Sequence, residues 1–229
     1  MNAFSRLIPS GGLIVSCQAS GDNPLRESHL MALMARAALL GGAVGIRANG
    51  AADIRAIRAI TDSPIIGINK LGNPAGVFIT PTVESAWEVL VAGADAIALD
   101  GTLRSRPGGI GLSEQIRRIK ELSDVPIMAD VDSFEAGIAA REAGADAVAT
   151  TLSGYTTGLI TEQPDIELIA RLAATLDCPI VAEGHLRTKA DALAARSAGA
   201  HAIVIGTAIT NPMAITKYIS EGLAQWGTD

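Results

Sequence analysis

Two short apolar runs toward the end of the chain, Pro179–Ala182 and Ala202–Ile205, each stop at residues with chemistry to offer. The first stops at Glu183-Gly184 and the second at Gly206-Thr207. A carboxyl group at the mouth of an apolar strand can move protons, because burial pushes its pKa toward neutrality. Glycines let backbone N–H groups approach a ligand closely, and N–H groups at a helix start favour an anion, most often a phosphate. The stretch therefore predicts an acid/base group beside a phosphate cradle of Gly184, Gly206 and Thr207, with a short extra helix starting near Thr207. A third such ending is Lys70, which follows Gly-Ile-Asn and precedes a loop rich in Gly and Pro. A lysine between apolar walls and Arg47 is partly deprotonated, and serves as a proton-transfer base or as a Schiff-base amine. Each residue also has a plainer reading: an ion pair from Lys70 to Asp100 or Asp130, a helix cap for Glu183, an ordinary turn for the glycines.

The elements that would carry these residues come from repeats. Asp-x-Pro-Ile followed by an apolar run occurs at Asp62, Asp124 and Asp177; Gly-Ala-Asp/His-Ala followed by an apolar run occurs at Gly93, Gly144 and Gly199. The two kinds alternate, and a helix-like segment precedes each. Proline is tolerated at the first residue of a strand, and glycine suits the left-handed cap after a helix. The apolar runs predict eight strands, near 13–17, 43–46, 65–68, 96–99, 126–129, 147–149, 179–182 and 202–205. Helical patterns fall near 28–40, 51–60, 82–92, 113–122, 133–143, 164–175, 188–198 and 212–222. Strands alternating with helices of this length predict parallel βα units. Eight units fit an α/β fold of the (β/α)8 TIM-barrel type with a phosphate site, built as one domain over residues 1–229. An open doubly wound sheet is the rival, weakened by the lack of GxGxxG after the first strand. The longer loops, 71–80, 101–111 and 150–163, all follow strands, on the face where barrels build their sites. The residues at the strand ends are then Gln18, Arg47, Lys70, Asp100, Asp130, Thr151, Glu183 and Gly206. They are expected to share one mouth, where neighbours shift each other's pKa.

Composition excludes several classes. The net charge is −6 and no block of Lys or Arg is present, so a nucleic-acid partner is not expected. Hydrophobic residues make up 48% and aromatics 3%, which suits a β-branched and alanine-rich α/β interior. Cys17 and Cys178 are far apart without a CxxC pattern, against a disulfide framework or structural zinc. Of three histidines only His185 falls near the site, so no metal site of histidines and carboxylates is expected there. The N-terminal MNAFSRLIPSGG is too poor in apolar residues for a signal peptide, and Leu30–Ile46 is interrupted by Arg36 and Gly41-Gly42. The expectation is a cytoplasmic protein with no membrane partner.

Ordered motifs along nearly the whole chain resemble one family. They include Ser16-Cys-Gln-Ala, Gly42-Ala-Val-Gly-Ile-Arg-Ala-Asn-Gly, Pro64-Ile-Ile-Gly leading to Lys70, and Phe78-Ile-Thr-Pro-Thr. They continue with Ala98-Leu-Asp-Gly-Thr-Leu-Arg-Ser-Arg-Pro, Met128-Ala-Asp, Thr150-Thr-Leu-Ser-Gly-Tyr-Thr, Ala182-Glu-Gly and Gly206-Thr-Ala-Ile-Thr. The chain resembles the bacterial N-acylglucosamine-6-phosphate 2-epimerases, also called N-acetylmannosamine-6-phosphate 2-epimerases. The resemblance implies a cofactor-independent isomerase that interconverts N-acetylmannosamine 6-phosphate and N-acetylglucosamine 6-phosphate in sialic acid and amino-sugar catabolism. It implies that Lys70 and Glu183 carry the proton transfers, that Gln18, Arg47 and Asp130 contact the sugar, and that the glycines after strands seven and eight hold the phosphate. Thr151 joins the substrate-binding set from its strand end. Barrels of this type often pair through helices, so a homodimer is expected.

Two departures from the family pattern stand out. The loop after Lys70 is shorter and lacks an aromatic. Asn211 stands where the family carries an arginine that reaches the phosphate, while Arg187 stands four residues after Glu183 in place of a small polar residue. The expectation is that Arg187 takes over the phosphate charge. The competing functions are a Schiff-base lyase or aldolase on a sugar phosphate through Lys70, and a non-catalytic sugar-phosphate sensor. A ribulose-phosphate 3-epimerase is disfavoured because its metal-binding histidines have no counterparts.

Overall fold

Short β-branched runs with proline or glycine at their edges become eight parallel strands in a computed structural model, which describes residues 2–19, 21–156 and 163–226. A five-residue helix α1 (Ala3–Leu7) precedes β1 (Gly12–Cys17). Then follow α2 (Ser28–Leu40), β2 (Gly45–Asn49), α3 (Gly50–Arg58), β3 (Ile65–Ile68), α4 (Val83–Val91) and β4 (Ala96–Asp100). The second half runs α5 (Leu112–Leu122), β5 (Ile127–Asp130), α6 (Phe134–Glu142), β6 (Ala147–Ala149), α7 (Ile166–Thr175), β7 (Ile180–Ala182), α8 (Lys189–Ser197) and β8 (Ala202–Ile205). The short α9 (Thr207–Thr210) and the longer α10 (Pro212–Gln225) end it. The strands pair in chain order and β8 returns to β1, closing a (β/α)8 barrel. No helix among the described residues is long and apolar enough to cross a membrane.

The repeats have local reasons. In two of the Gly-Ala-Asp-Ala copies the aspartate accepts from the first amide of the preceding strand in the barrel: Ile65 N to Asp95 at 2.8 Å and Ile127 N to Asp146 at 2.9 Å. Helices α4 and α8 start at capping boxes, Thr82 with Ser85 and Thr188 with Asp191, which satisfy amides that have no intrahelical partner.

Period-two alternation sorts the strand residues into two layers. Ile46, Ala48, Ile97, Leu99, Ala129, Val148 and Ala182 face the helices. Ile14, Ile66, Ile68, Ala98, Met128, Ala149, Val181 and Val204 fill the barrel interior. Continuing the inner row by two residues reaches Ser16, Lys70, Asp100, Asp130, Thr151, Glu183 and Gly206 at the C-terminal end. At the other end Phe4 and Ile8 plug the interior, and His201 bonds the Ile8 carbonyl at 2.9 Å.

Most element boundaries shift by one to three residues, and two differences from expectation bear on the packing. Helix α1 has too few residues for a periodic signal; it depends on the Asn2 side chain, which accepts from Phe4 N at 2.7 Å, and on burial of Phe4. Strand β2 lies over Gly45–Asn49 rather than 43–46, so Arg47 is inside the strand and not past its end. A charged residue ends an apolar run, but this one pairs with buried carboxylates and the ladder to β3 continues to Asn49↔Ile68. Within the expected loop 150–163, residues 157–162 lie outside the described residues, as do the termini of the expected domain, Met1 and 227–229.

Candidate active site

The C-terminal mouth holds a cavity of about 540 Å³. Eight of the ten expected site residues line it: Gln18, Lys70, Thr151, Glu183, Gly184, Arg187, Gly206 and Thr207. Arg47 and Asp130 do not. They lie beneath its floor, 1% and 0% exposed. Asp100, expected at the same mouth, is also withdrawn: its carboxylate accepts from Thr102 Oγ1 at 2.6 Å and from Arg104 at 2.7 Å, within its own loop.

A charge cluster sits under Glu183. One guanidinium nitrogen of Arg47 donates to Asp130 at 3.0 Å, to Thr151 Oγ1 at 3.3 Å and to the Glu183 carboxylate. The other donates to Asp130 at 2.5 Å. Thr151 Oγ1 stands 2.6 Å from Asp130 and 3.1 Å from Glu183, bridging the two carboxylates. Thr150 Oγ1 braces Glu183 from behind, donating to its carbonyl at 2.9 Å and accepting from its amide at 3.2 Å. The Glu183 side chain is 13% exposed and lines the cavity. Burial pushes its carboxyl above the ordinary glutamate range; Arg47 opposes the rise and Asp130 adds to it.

Lys70 stands two residues past β3, its amide donating to Asn49 Oδ1 at 2.8 Å. Among the described residues it makes no ion pair with Asp100 or Asp130, so the plainer reading of this lysine fails. Removal from water among the mouth's walls, then the charge of Arg47, lowers its ammonium below the ordinary lysine value against the pull of Glu183 and Asp130. The side chain is still reached by solvent through the open mouth.

The opposite wall is made by the loops after β7 and β8. Gly184 has φ of 101°, and a Cβ there would meet the Thr150 carbonyl at 3.3 Å. At Gly206, which precedes α9, a Cβ would meet Ser16 Cβ at 3.3 Å. Thr207, the first residue of α9, lines the cavity, and its amide at the helix start has no intrahelical acceptor. Asn211 also lines the cavity, but its side chain caps α10, accepting from Ala214 N at 3.1 Å. Arg187 lies over the ring of Tyr218, 4.7 Å from its centroid, at the rim of this wall. Gln18 donates to Ser16 Oγ at 2.6 Å, and its Oε1 has no partner among the described residues. Sequence reasoning assigned no role to Arg104 or Tyr155, which also line the mouth. Both belong to loops where no fixed offset from a strand end marks a residue. Tyr155 stacks on His185 at 4.5 Å.

A family model described as "Putative N-acetylmannosamine-6-phosphate epimerase" matches residues 31–225. The chain belongs to this epimerase family. A relative in Cutibacterium acnes named "Putative N-acetylmannosamine-6-phosphate 2-epimerase" is 47% identical over 97% of this chain and 100% of its own. One of the same name in Caldanaerobacter subterraneus subsp. tengcongensis is 48% identical over 90% of this chain and 88% of its own. Among solved structures, the N-acetylmannosamine-6-phosphate 2-epimerase of Clostridium perfringens superposes with a TM-score of 0.90, at 39% identity over 95% of both chains. The epimerase family and its barrel are thus those implied by the ordered motifs.

Proposed function

We propose that this epimerase interconverts N-acetylmannosamine 6-phosphate and N-acetylglucosamine 6-phosphate, as a single barrel domain over residues 1–229, by removing and returning the proton at C2 of the ring-opened sugar. The observation that carries the reading is one cavity lined by a lysine pushed down in pKa, a glutamate pushed up, and two glycine loops suited to a phosphate. Ring opening exposes the C1 aldehyde and makes the C2 proton acidic, because the carbanion delocalises onto O1 as an enolate. Lys70 in its amine form takes that proton. Glu183 in its acid form assists ring opening and proton exchange at the opposite side. A positioned acid and base each contribute roughly 10²–10⁴-fold. Arg47 works from below: its guanidinium is committed to Asp130, Thr151 and Glu183, so it holds the glutamate in place rather than touching the sugar. Gln18 and Thr151 meet the sugar, and Gly184, Gly206, Thr207 and Arg187 the phosphate.

The same reading includes a homodimer and a cytoplasmic setting. In α10 no described side chain is buried, and Tyr218, Ile219 and Leu223 face outward, an apolar surface suited to a second copy. Both cysteines are free thiols, which suits a reducing compartment. The test is incubation with either epimer in D2O, following C2–H by NMR. Exchange together with appearance of the other epimer is expected; no exchange with either would sink the reading.

A further inference from the structure

Lys70 is held by a hairpin rather than by β3 alone. After Lys70 the chain turns and returns, so that Lys70 pairs with Ile79 in an antiparallel bridge. Leu71 N donates to Phe78 O at 2.9 Å, and Thr80 N to Asn69 O at 2.8 Å. Thr80 ends the return arm with φ of 46°, the left-handed region that a β-branched residue avoids. Such strain persists only where surroundings enforce it, and it gathers at functional sites.

The surroundings here are a buried polar network. Thr80 is 0% exposed. Its hydroxyl donates to Ala98 O at 2.7 Å and accepts from Asn69 N at 3.1 Å, tying the end of β3 to β4. Its carbonyl accepts from Gln115 Nε2 of α5 at 2.9 Å. Gln115 Oε1 in turn accepts from Arg106 Nε at 3.1 Å, and Arg106 also donates to the Thr102 and Asp100 carbonyls. Thr80, Gln115 and Arg106 do not line the cavity that holds Lys70. Nothing in the binding of a sugar explains them, and a hairpin needs no helix behind it to turn.

We propose that Thr80 and Gln115 are positioning residues for Lys70, fixing the hairpin so that its amine meets C2 of the substrate. The proposal rests on the reading of Lys70 as the base. Proton transfer needs the base within hydrogen-bond reach of its target, and a misplacement of about 1 Å can cost ~10²-fold.

Two substitutions separate this role from plain stability. Thr80→Val keeps the shape and removes the hydroxyl. Gln115→Glu keeps an acceptor for Arg106 and removes the donor to Thr80. Turnover of N-acetylmannosamine 6-phosphate and C2–H exchange in D2O are measured well below each variant's Tm. Each variant is expected to lose about 10–100-fold in kcat, with KM within about twofold and exchange falling by the same factor as kcat. Thr80→Ser, which restores a hydroxyl, is expected to recover most of the rate. A lowered Tm with kcat unchanged would overturn the proposal, and so would a loss that Thr80→Ser does not recover. If Gln115→Glu does not fold, the Thr80→Val and Thr80→Ser pair decides alone. Failure of the unaltered enzyme to exchange C2–H overturns the underlying reading and the proposal with it, and is seen before any substitution is made.

Discussion

Arg47→Met removes the cation that pairs with both Asp130 and Glu183. Arg47 is 1% exposed, Asp130 0% and Glu183 13%, so water cannot replace the guanidinium at Asp130. Breaking a buried ion pair on one side costs about 3–5 kcal/mol, because the partner charge is left uncompensated. For a chain of this size ~1 kcal/mol moves Tm by roughly 2–4 °C, so the expected fall is about 6–20 °C. The fall must also depend on pH. Burial already raises the Glu183 carboxyl above its ordinary value, and Arg47 is the strongest pull against that rise. A carboxyl raised in the folded state contributes stability that is fully present below its unfolded value of about 4.3, and is lost as pH rises through the folded value. Removing Arg47 raises the folded value further and enlarges that loss. The gap in Tm between the unaltered chain and Arg47→Met should therefore widen between about pH 5 and about pH 8. Thermal unfolding followed by circular dichroism at both pH values reads it directly. A gap equivalent to less than ~1 kcal/mol, or one equal at the two pH values, would refute the placement of this cluster beneath the floor.

The remaining predictions concern the chemistry and the phosphate. Lys70→Arg keeps a cation at the β3 end but cannot give up its proton, so C2–H exchange in D2O should fall at least ~10²-fold; exchange at the unaltered rate would remove Lys70 from the role of base. In the intact enzyme Lys70 must lose a proton and Glu183 keep one. The rate should be bell-shaped in pH, with its two limbs set by the raised glutamate value and the lowered lysine value. Glu183→Gln should then abolish the dependence on the glutamate and not the one on the lysine; a profile unchanged by that substitution speaks against Glu183 as the acid. Arg187→Ala should raise KM for the phosphorylated sugar about tenfold with kcat little changed, the pattern of a lost uniform contact. Normal affinity in that variant would leave the phosphate to the loop amides alone.

The fold was open to sequence reading because it repeats. Eight apolar runs separated by eight helical patterns leave few alternatives, and each boundary is punctuated by proline, glycine or an aspartate that bonds the neighbouring strand. What escaped was set by tertiary contacts. Helix α1 depends on a cap and on the hole at the bottom of the barrel that Phe4 fills. Strand β2 continues through Arg47 only because two carboxylates from β5 and the β7 end are waiting for its charge. The row of strand-end residues gave the direction of each side chain by alternation, but not its depth. Depth depends on the stagger of the strands and on who pairs with whom, so Asp100, Arg47 and Asp130 were expected in the mouth and lie outside the cavity. Asn211 shows the same limit: its type departs from the family pattern, while its work as the cap of α10 needs the helix to be seen.

The withdrawal of Arg47 and Asp130 changes the electrostatic argument for Lys70 and Glu183. Those two buried groups carry opposite charges, with Arg47 also pairing to Glu183, and the lysine and glutamate can exist as ammonium with carboxylate or as amine with carboxylic acid at the same net charge. Burial penalises the charged version of each group and thus moves the balance toward the amine with carboxylic acid, the neutral set. That is why the lysine moves down while the glutamate moves up. A proton taken from Lys70 can be held by Glu183, which lines the same cavity. The neutral set is the one the proposed reaction requires, an amine ready to accept the C2 proton and an acid ready to give one up.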